Sequence, residues 1–434
     1  MADLIASPRI KRVQRVALVL LVLGGVINYI DRSTLAVGLP LIRKDLDLSL
    51  TQSGILLSAF LWTYAFAQLP AGILIDRFGA RIMLAAGLGL WSVAQILGGM
   101  VTNFAEFVGA RVSLGVGESA QFPSCARVVA DWFHPRERGL ASGFWNCSSS
   151  LGSAVSLPVL TFLMLHLGWR GMFITMGLVG LFVSLGIYLV HRNPREVALE
   201  PAEREYLADG LPAAEKVSWG EWGRLLCFRT TWGMIGGYFG AMYVLWIYNS
   251  WLPQYMEMEL HVSIPKTGWL ASIPFFCGVV GSITTGWVCD ALLRRGFSPI
   301  ASRKIPLVVS MFGVALCTLL ASRTTSVALT ITFVSASLFM IYSIAAAAWT
   351  MATAVAPTKY TASLSSIQNF FGYFGAALAP YVTGVIAQKT GSFRMALVVG
   401  AVMVAVGGFI HLFLVRDPVA PAPLSDAPRP GTAG

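Results

Sequence analysis

A chain of 434 residues that is 56% hydrophobic and only 12% charged is not an ordinary soluble domain, where about a quarter of residues carry charge. Its net charge of +10 would suit a nucleic-acid partner, but the distribution excludes a basic binding face. With the N-terminus inside, 21 of the 31 Lys and Arg residues fall in gaps on the inner side, 6 on the outer side and 4 within apolar blocks, the asymmetry that membrane insertion imposes.

Twelve apolar blocks follow in chain order: 16–38, 53–75, 82–101, 105–130, 139–165, 171–191, 231–255, 267–289, 305–321, 326–355, 360–387 and 393–415. Each is long enough for a helix to cross about 30 Å of hydrocarbon. The first block follows Arg9, Lys11, Arg12 and Arg15 like a signal peptide, yet it is too long and has no small-residue cleavage site, so it is expected to persist as a helix. It holds Asp31 and Arg32, with Asp31 about 24 Å along the helix from Arg15 and past mid-depth. Each ionisable group there costs about 2.5–3.5 kcal/mol even on the mild insertion scale, which is tolerated where charges pair, face water or move a solute. Adjacent helix residues project about 100° apart, so Asn28, Tyr29 and Arg32 share a polar face and Asp31 turns to a neighbouring helix. The planar fork of Arg32 suits a carboxylate, and Asp31 can take up a proton when partly desolvated.

Block 2 contains Trp62-Thr-Tyr64 and ends at Gly72-Ile-Leu-Ile-Asp76-Arg77-Phe-Gly79-Ala-Arg81. Its glycines permit close helix approach, and Asp76, Arg77 and Arg81 can make contacts across a gate. Block 4 places Arg111 and Glu118 two turns apart on one face, with Gly115 and Gly117 allowing tight packing or a local distortion. The pair is expected to be a salt bridge or part of a proton relay. Block 5 offers Asn146-Cys-Ser-Ser-Ser150, block 7 Tyr243, Tyr248, Asn249 and Trp251, and block 11 Gln368 and Asn369. The Gly139/Gly143 and Gly236/Gly240 pairs are expected to pack helices within one monomer rather than to drive dimers.

The six cysteines form no CxxC pair and read as reduced packing residues. His134, His166, His191, His261 and His411 read as interfacial. There is no HExxH, Walker A, GxSxG or paired Cys/His spacing, so neither metal nor cofactor is expected.

The halves repeat. Gly72 and Asp76 match Gly286 and Asp290 at one common offset, and Asn146, Gly152 and Pro158 echo Asn369, Gly375 and Pro380. The expected domains are a bundle over 1–191, a cytoplasmic linker over 192–230, a second bundle over 231–415 and a disordered tail over 416–434.

The Gly72–Arg81 segment, with its weaker copy at Asp290, resembles the loop 2–3 signature of the major facilitator superfamily. Asn28-Tyr-Ile-Asp-Arg32 and Gly117-Glu-Ser-Ala-Gln-Phe-Pro123 resemble its anion:cation symporter family, which includes bacterial carriers of galactonate, glucarate and hexuronates, and animal relatives such as sialin and the vesicular glutamate transporters. The resemblance implies an all-α integral membrane fold of twelve helices in two pseudo-symmetric six-helix bundles. It implies that Asp31 and Glu118 carry protons, that Arg111 pairs with Glu118, and that Arg32 couples cargo to proton. It places Tyr64, Trp349 and Asn369 on the cargo, and Tyr29 is expected to join them from the polar face it shares with Arg32. Ser149 lies where such carriers often have a glutamine, a departure that alters the expected hydrogen-bonding pattern.

The function expected is import of a small organic anion, a sugar acid, with protons, by a monomer in a bacterial inner membrane with both termini cytoplasmic. Its partners are the anion, protons and the bilayer, with no nucleic acid. Alternatives are an aromatic or dicarboxylic cargo such as phthalate or tartrate, an integral-membrane enzyme, and an exporter of cationic drugs.

Overall fold

The computed structural model describes residues 6–134, 137–208 and 219–419; most of the expected tail over 416–434 and part of the expected linker lie outside these. Every element among the described residues is helical. Helix α1 (Pro8–Asp45) starts at Ser7, whose side chain accepts from the Ile10 N–H, with Pro8 preset for the first turn. Helix α2 (Leu50–Phe78) opens with a capping box between Ser49 and Gln52. Gly79, at φ 83°, closes α2 and starts α3 (Ala80–Met100) in a conformation that side chains disfavour.

Helices α4 (Phe104–Glu118) and α5 (Gln121–Trp132) make one crossing, interrupted at Ser119 and Ala120. Pro123 has no N–H to offer the Ser119 carbonyl, so the ladder breaks beside Glu118. Helix α6 (Arg138–Val190) makes two crossings joined at Gly168, whose φ of 70° and ψ of 172° lie outside the helical region. A 3₁₀ turn (Pro194–Glu196), α7 (Pro201–Ala208) and α8 (Trp219–Leu225) belong to the connection to α9 (Arg229–Met258). Helices α10 (Ile264–Leu270), α11 (Ser272–Arg294), α12 (Pro299–Arg323), α13 (Val327–Val355), α14 (Thr358–Thr390) and α15 (Arg394–Leu414) complete the fold.

Nine segments among the described residues are long and apolar enough to span a bilayer. One of them, α6, crosses twice, and α9 and the α4–α5 pair supply two further crossings, which gives twelve. Helices α4 and α5, at 15 and 12 residues, are each too short to span alone and make one crossing together. The first six crossings pack among themselves through α1–α6, α3–α6, α2–α4 and α3–α4; the last six do so through α9–α15, α9–α14, α11–α13 and α12–α13. The fold is thus an integral membrane fold of two six-helix bundles. Gly236 and Gly240 let α9 lie against Ile410 and the Met403 carbonyl of α15, as expected for packing within one chain, whereas Gly143 of the other pair has nothing within 4 Å of where a side chain would start and packs no helix.

Helices α2 and α14 form the main seam between the bundles. At the end away from the start of α1, the Leu50 N–H donates to Gln388 Oε1 at 2.9 Å, and Lys44 Nζ lies 3.9 Å from Glu257. Gly54 abuts the Pro380 carbonyl, and Gly384 abuts that of Leu50, so no side chain separates the two backbones there. The seam continues through Trp62–Phe374 and Tyr64–Tyr373 to Phe66–Phe370. Beyond Phe66, towards Gly79, no hydrogen bond, ion pair or ring contact joins the bundles among the described residues. Gly72, expected to allow close helix approach, has nothing within 4 Å of where a side chain would start. The reason is that the bundles are apart at that end. A bulky side chain at Gly54 should pry the closed end open. In a cysteine-free background, Gly54→Leu is expected to raise maleimide labelling of Gln388→Cys several-fold; unchanged labelling would show that the seam does not close that end.

Candidate functional site

The centre of the first bundle holds two carboxylates and two guanidiniums that are nearly excluded from solvent: Asp31 and Glu118 at 0%, Arg111 at 3% and Arg32 at 7% exposure. Formal charge balances, which is the condition for burying four ionisable groups together. Small residues make the approach possible. A side chain at Gly115 would strike Thr63 and the Phe60 carbonyl of α2, and one at Gly117 would strike Trp91 of α3. Glycine at both positions therefore draws α4 against its neighbours and brings Glu118 to α1.

Arg32 Nε donates to Glu118 Oε2 at 2.7 Å. The Arg32 guanidinium lies 4.7 Å from the Tyr64 ring, 4.9 Å from Tyr29, 5.4 Å from Phe60 and 5.9 Å from Phe122. Aromatic faces attract a cation without accepting its hydrogen bonds. Arg32 Nη2 has no hydrogen-bond partner and Glu118 Oε1 has none either. One carboxylate thus holds one edge of the guanidinium, and the opposite end remains available to a second anion.

Asp31 points away from Arg32, as the 100° projection requires, and its Oδ2 accepts from Trp91 Nε1 at 3.1 Å. The Asp31 backbone carbonyl accepts from Thr34 Oγ1, which accepts from Gln95. Arg111, expected to pair with Glu118, does not. Two turns put them about 10.5 Å apart along the helix, and Arg32 reaches Glu118 first from α1. Arg111 instead lies over the Phe60 ring at 5.0 Å, with Nε and Nη1 buried and without partners.

The other expected cargo residues are dispersed. Tyr64 is buried, and its hydroxyl accepts from Gln68 at 2.9 Å. Asn369 is partly buried on α14, one turn before Tyr373, whose ring meets Tyr64 at 4.8 Å. Ser149 donates to the Asn146 carbonyl of its own helix at 2.7 Å. Trp349 is half exposed at 50%, on the part of α13 towards the open end. Phe60, Trp91 and Tyr373 were not singled out from sequence, although they enclose the charges; aromatic residues inside apolar blocks carry no signal that separates such a role from packing.

The gate motif forms contacts within the first half only, as for a gate whose contacts across the bundles break when the carrier changes state. Asp76 pairs with Arg127 of α5 at 2.9 Å, and Arg81 pairs with Glu196 of the connector at 3.2 Å. Arg77 lies over Phe78, and Asp290 is exposed. These groups have nothing to bridge to because the bundles are separated at this end. Three histidines also depart from the interfacial expectation. His134 is buried with its ring 5.3 Å from that of Tyr206. His411 is buried at Gly233, with Nδ1 3.1 Å from its carbonyl, because α15 packs along α9. His191 is buried at the end of α6, and burial pushes its ring down to about 4.

All six cysteines are free thiols. No group of three His, Cys, Asp or Glu is placed to hold a metal among the described residues.

A twelve-crossing helical fold around a charged, aromatic-lined centre defines a membrane carrier. The sequence profile of the Major Facilitator Superfamily matches residues 21–295 and 234–432, so the chain belongs to that superfamily and is a transporter rather than an enzyme. It is 42% identical to the probable L-galactonate transporter of Escherichia coli (strain K12), over 95% of this chain and 92% of that one. It is 30% identical to the D-galactonate transporter of Escherichia coli O6:H1 over 92% and 95%, and 27% identical to the hexuronate transporter of Bacillus subtilis (strain 168) over 94% and 96%. These names agree with the resemblance read from Asn28–Arg32 and Gly117–Pro123. A crystal structure of a bacterial homologue of the human lysosomal transporter Spinster, inward-facing and unoccupied, shares the fold at a TM-score of 0.79 and 19% identity, over 94% of this chain and 99% of that one.

Two outcomes follow from burial. Arg32→Ala leaves Glu118 without its partner and is expected to destabilise the protein by about 3–5 kcal/mol, while Arg32→Ala/Glu118→Gln recovers most of the loss. Thermal unfolding in detergent checks this, and full stability of the single variant would contradict it. His191 stays neutral in the fold down to about pH 4, whereas an unfolded histidine protonates near 6.5. Its contribution is therefore complete above pH 6.5 and is lost as pH falls towards 4, by about 3 kcal/mol. His191→Gln should flatten that part of the stability–pH curve; an identical slope would refute the assignment.

Proposed function

We propose that this protein imports a sugar acid together with protons across a bacterial inner membrane, by alternating access. The observation that carries the reading is the Arg32–Glu118 contact, in which one guanidinium faces a titratable carboxylate on one edge and has unused donors beyond it. An incoming carboxylate and ionised Glu118 compete for Arg32. Protonating Glu118 ends the competition, so proton and anion bind with mutual favour, which is what symport needs. Asp31, held by Trp91 and close enough to feel Glu118, is the second proton carrier, and Arg111 stabilises whichever carboxylate is charged.

The carboxylate of the cargo rests on Arg32, with Tyr29, Tyr64 and Asn369 beside its polar chain and Trp349 and Ser149 joining as the bundles close. The relatives named for galactonate, galactarate/glucarate and hexuronate all handle polyhydroxy acids, which supports this cargo class. Both termini face the cytoplasm, and the Leu50–Gln388 end faces outward, so the conformation is open to the inside. Bundles 1–191 and 231–415 rock about the linker 192–230, and a single chain suffices. On outward opening, Asp76, Arg77 and Arg81 meet the second bundle near Asp290.

Reconstituted protein should accumulate L-galactonate uphill when the outside is acidic. Glu118→Gln should still exchange the acid across the membrane but reduce uphill accumulation at least tenfold. Uphill accumulation at the wild-type level in Glu118→Gln would remove Glu118 from the coupling.

A further inference from the structure

The four charges at the centre all come from α1 and α4 of the first bundle. The second bundle faces them with phenols. Tyr373 of α14 packs its ring on Tyr64 at 4.8 Å and 41°, and Tyr64 lies against the Arg32 guanidinium. Tyr238 of α9 is 6% exposed and lies across α14 at Gly372, where any side chain would run into its ring. Glycine next to Tyr373 is therefore what allows Tyr238 to lie beside it. Tyr238 is within electrostatic reach of both Tyr373 and Tyr29, so the three hydroxyls converge from α1, α9 and α14 on one region. Tyr29 and Tyr238 make no hydrogen bond to the protein through their hydroxyls among the described residues. A phenol both donates and accepts, which matches a secondary alcohol and not a carboxylate alone.

We propose that Tyr238 and Tyr373 are specificity-determining residues that read the hydroxyl adjacent to the cargo's carboxylate. The inference rests on the sugar-acid reading. The carboxylate sits on the first bundle at Arg32, and its neighbouring hydroxyl reaches the phenols of the second. The hydroxyl thereby links the two bundles, so a 2-hydroxy acid favours their closure where a 2-deoxy acid does not.

The test uses full-length protein in proteoliposomes, with L-galactonate and its 2-deoxy analogue as cargo. Wild-type protein is expected to prefer galactonate about tenfold in kcat/KM, mostly through kcat. Tyr238→Phe and Tyr373→Phe should each lower galactonate transport several-fold and leave transport of the 2-deoxy acid at the wild-type level, which also reports that the variants fold. Gly372→Ala should reproduce the Tyr238→Phe pattern by displacing the ring. If both Phe variants retain the full preference, the tyrosines do not read that hydroxyl, although the sugar-acid reading stands. If wild-type protein carries no galactonate, glucarate or hexuronate either, the sugar-acid reading fails and this inference with it.

Discussion

The contact between Arg32 and Glu118 is short, at 2.7 Å, and almost fully withdrawn from water. In such surroundings a charge left alone costs several kcal/mol, whereas the pair gains its attraction at low dielectric. Every other feature of the centre follows from that asymmetry. Arg111 and Asp31 keep the group neutral, aromatic rings cover the guanidinium without saturating its donors, and glycines at 115 and 117 let α4 come close enough for the contact to form. In the proposed mechanism a second anion that takes the remaining donors of Arg32 is repelled by ionised Glu118 until that group takes up a proton.

The surrounding fold makes that local choice mechanical. The seam between α2 and α14 is built from backbone contacts at Gly54 and Gly384 at one end and ends in aromatic rings at Phe66 and Phe370. Tyr64 lies on the same helix as Gly54, touches Tyr373 across the seam and Arg32 on its other side. The charged centre and the interface between bundles therefore share a side chain. In the proposed mechanism a change in what Arg32 holds reaches the second bundle through Tyr64 and Tyr373, with no long chain of intermediates to invoke.

Much of this was legible in the sequence, for definable reasons. Long apolar blocks leave helices as the only satisfactory backbone in lipid, and Asp31, Arg32, Arg111 and Glu118 stand out because charge at that depth is rare. The 100° rule correctly separated Asp31 from Arg32. What sequence could not supply was tertiary choice. Arg111 and Glu118 share a face, yet an arginine from another helix reached Glu118 first. Asp76 and Arg81 took partners at Arg127 and Glu196, separated from them in the chain but adjacent in the bundle. Phe60, Trp91 and Tyr373 were hidden among residues of the same kind, and which end of the seam closes depends on contacts such as Gly54 with Pro380 that leave no periodic trace.

The central claim is that cargo and Glu118 compete for one guanidinium. Titration calorimetry of L-galactonate binding, repeated in buffers of different ionisation enthalpy, counts the protons taken up on binding. The account predicts net proton uptake near neutral pH and tighter binding as pH falls. Binding that takes up no proton and has the same Kd across pH 5.5–8 would contradict it.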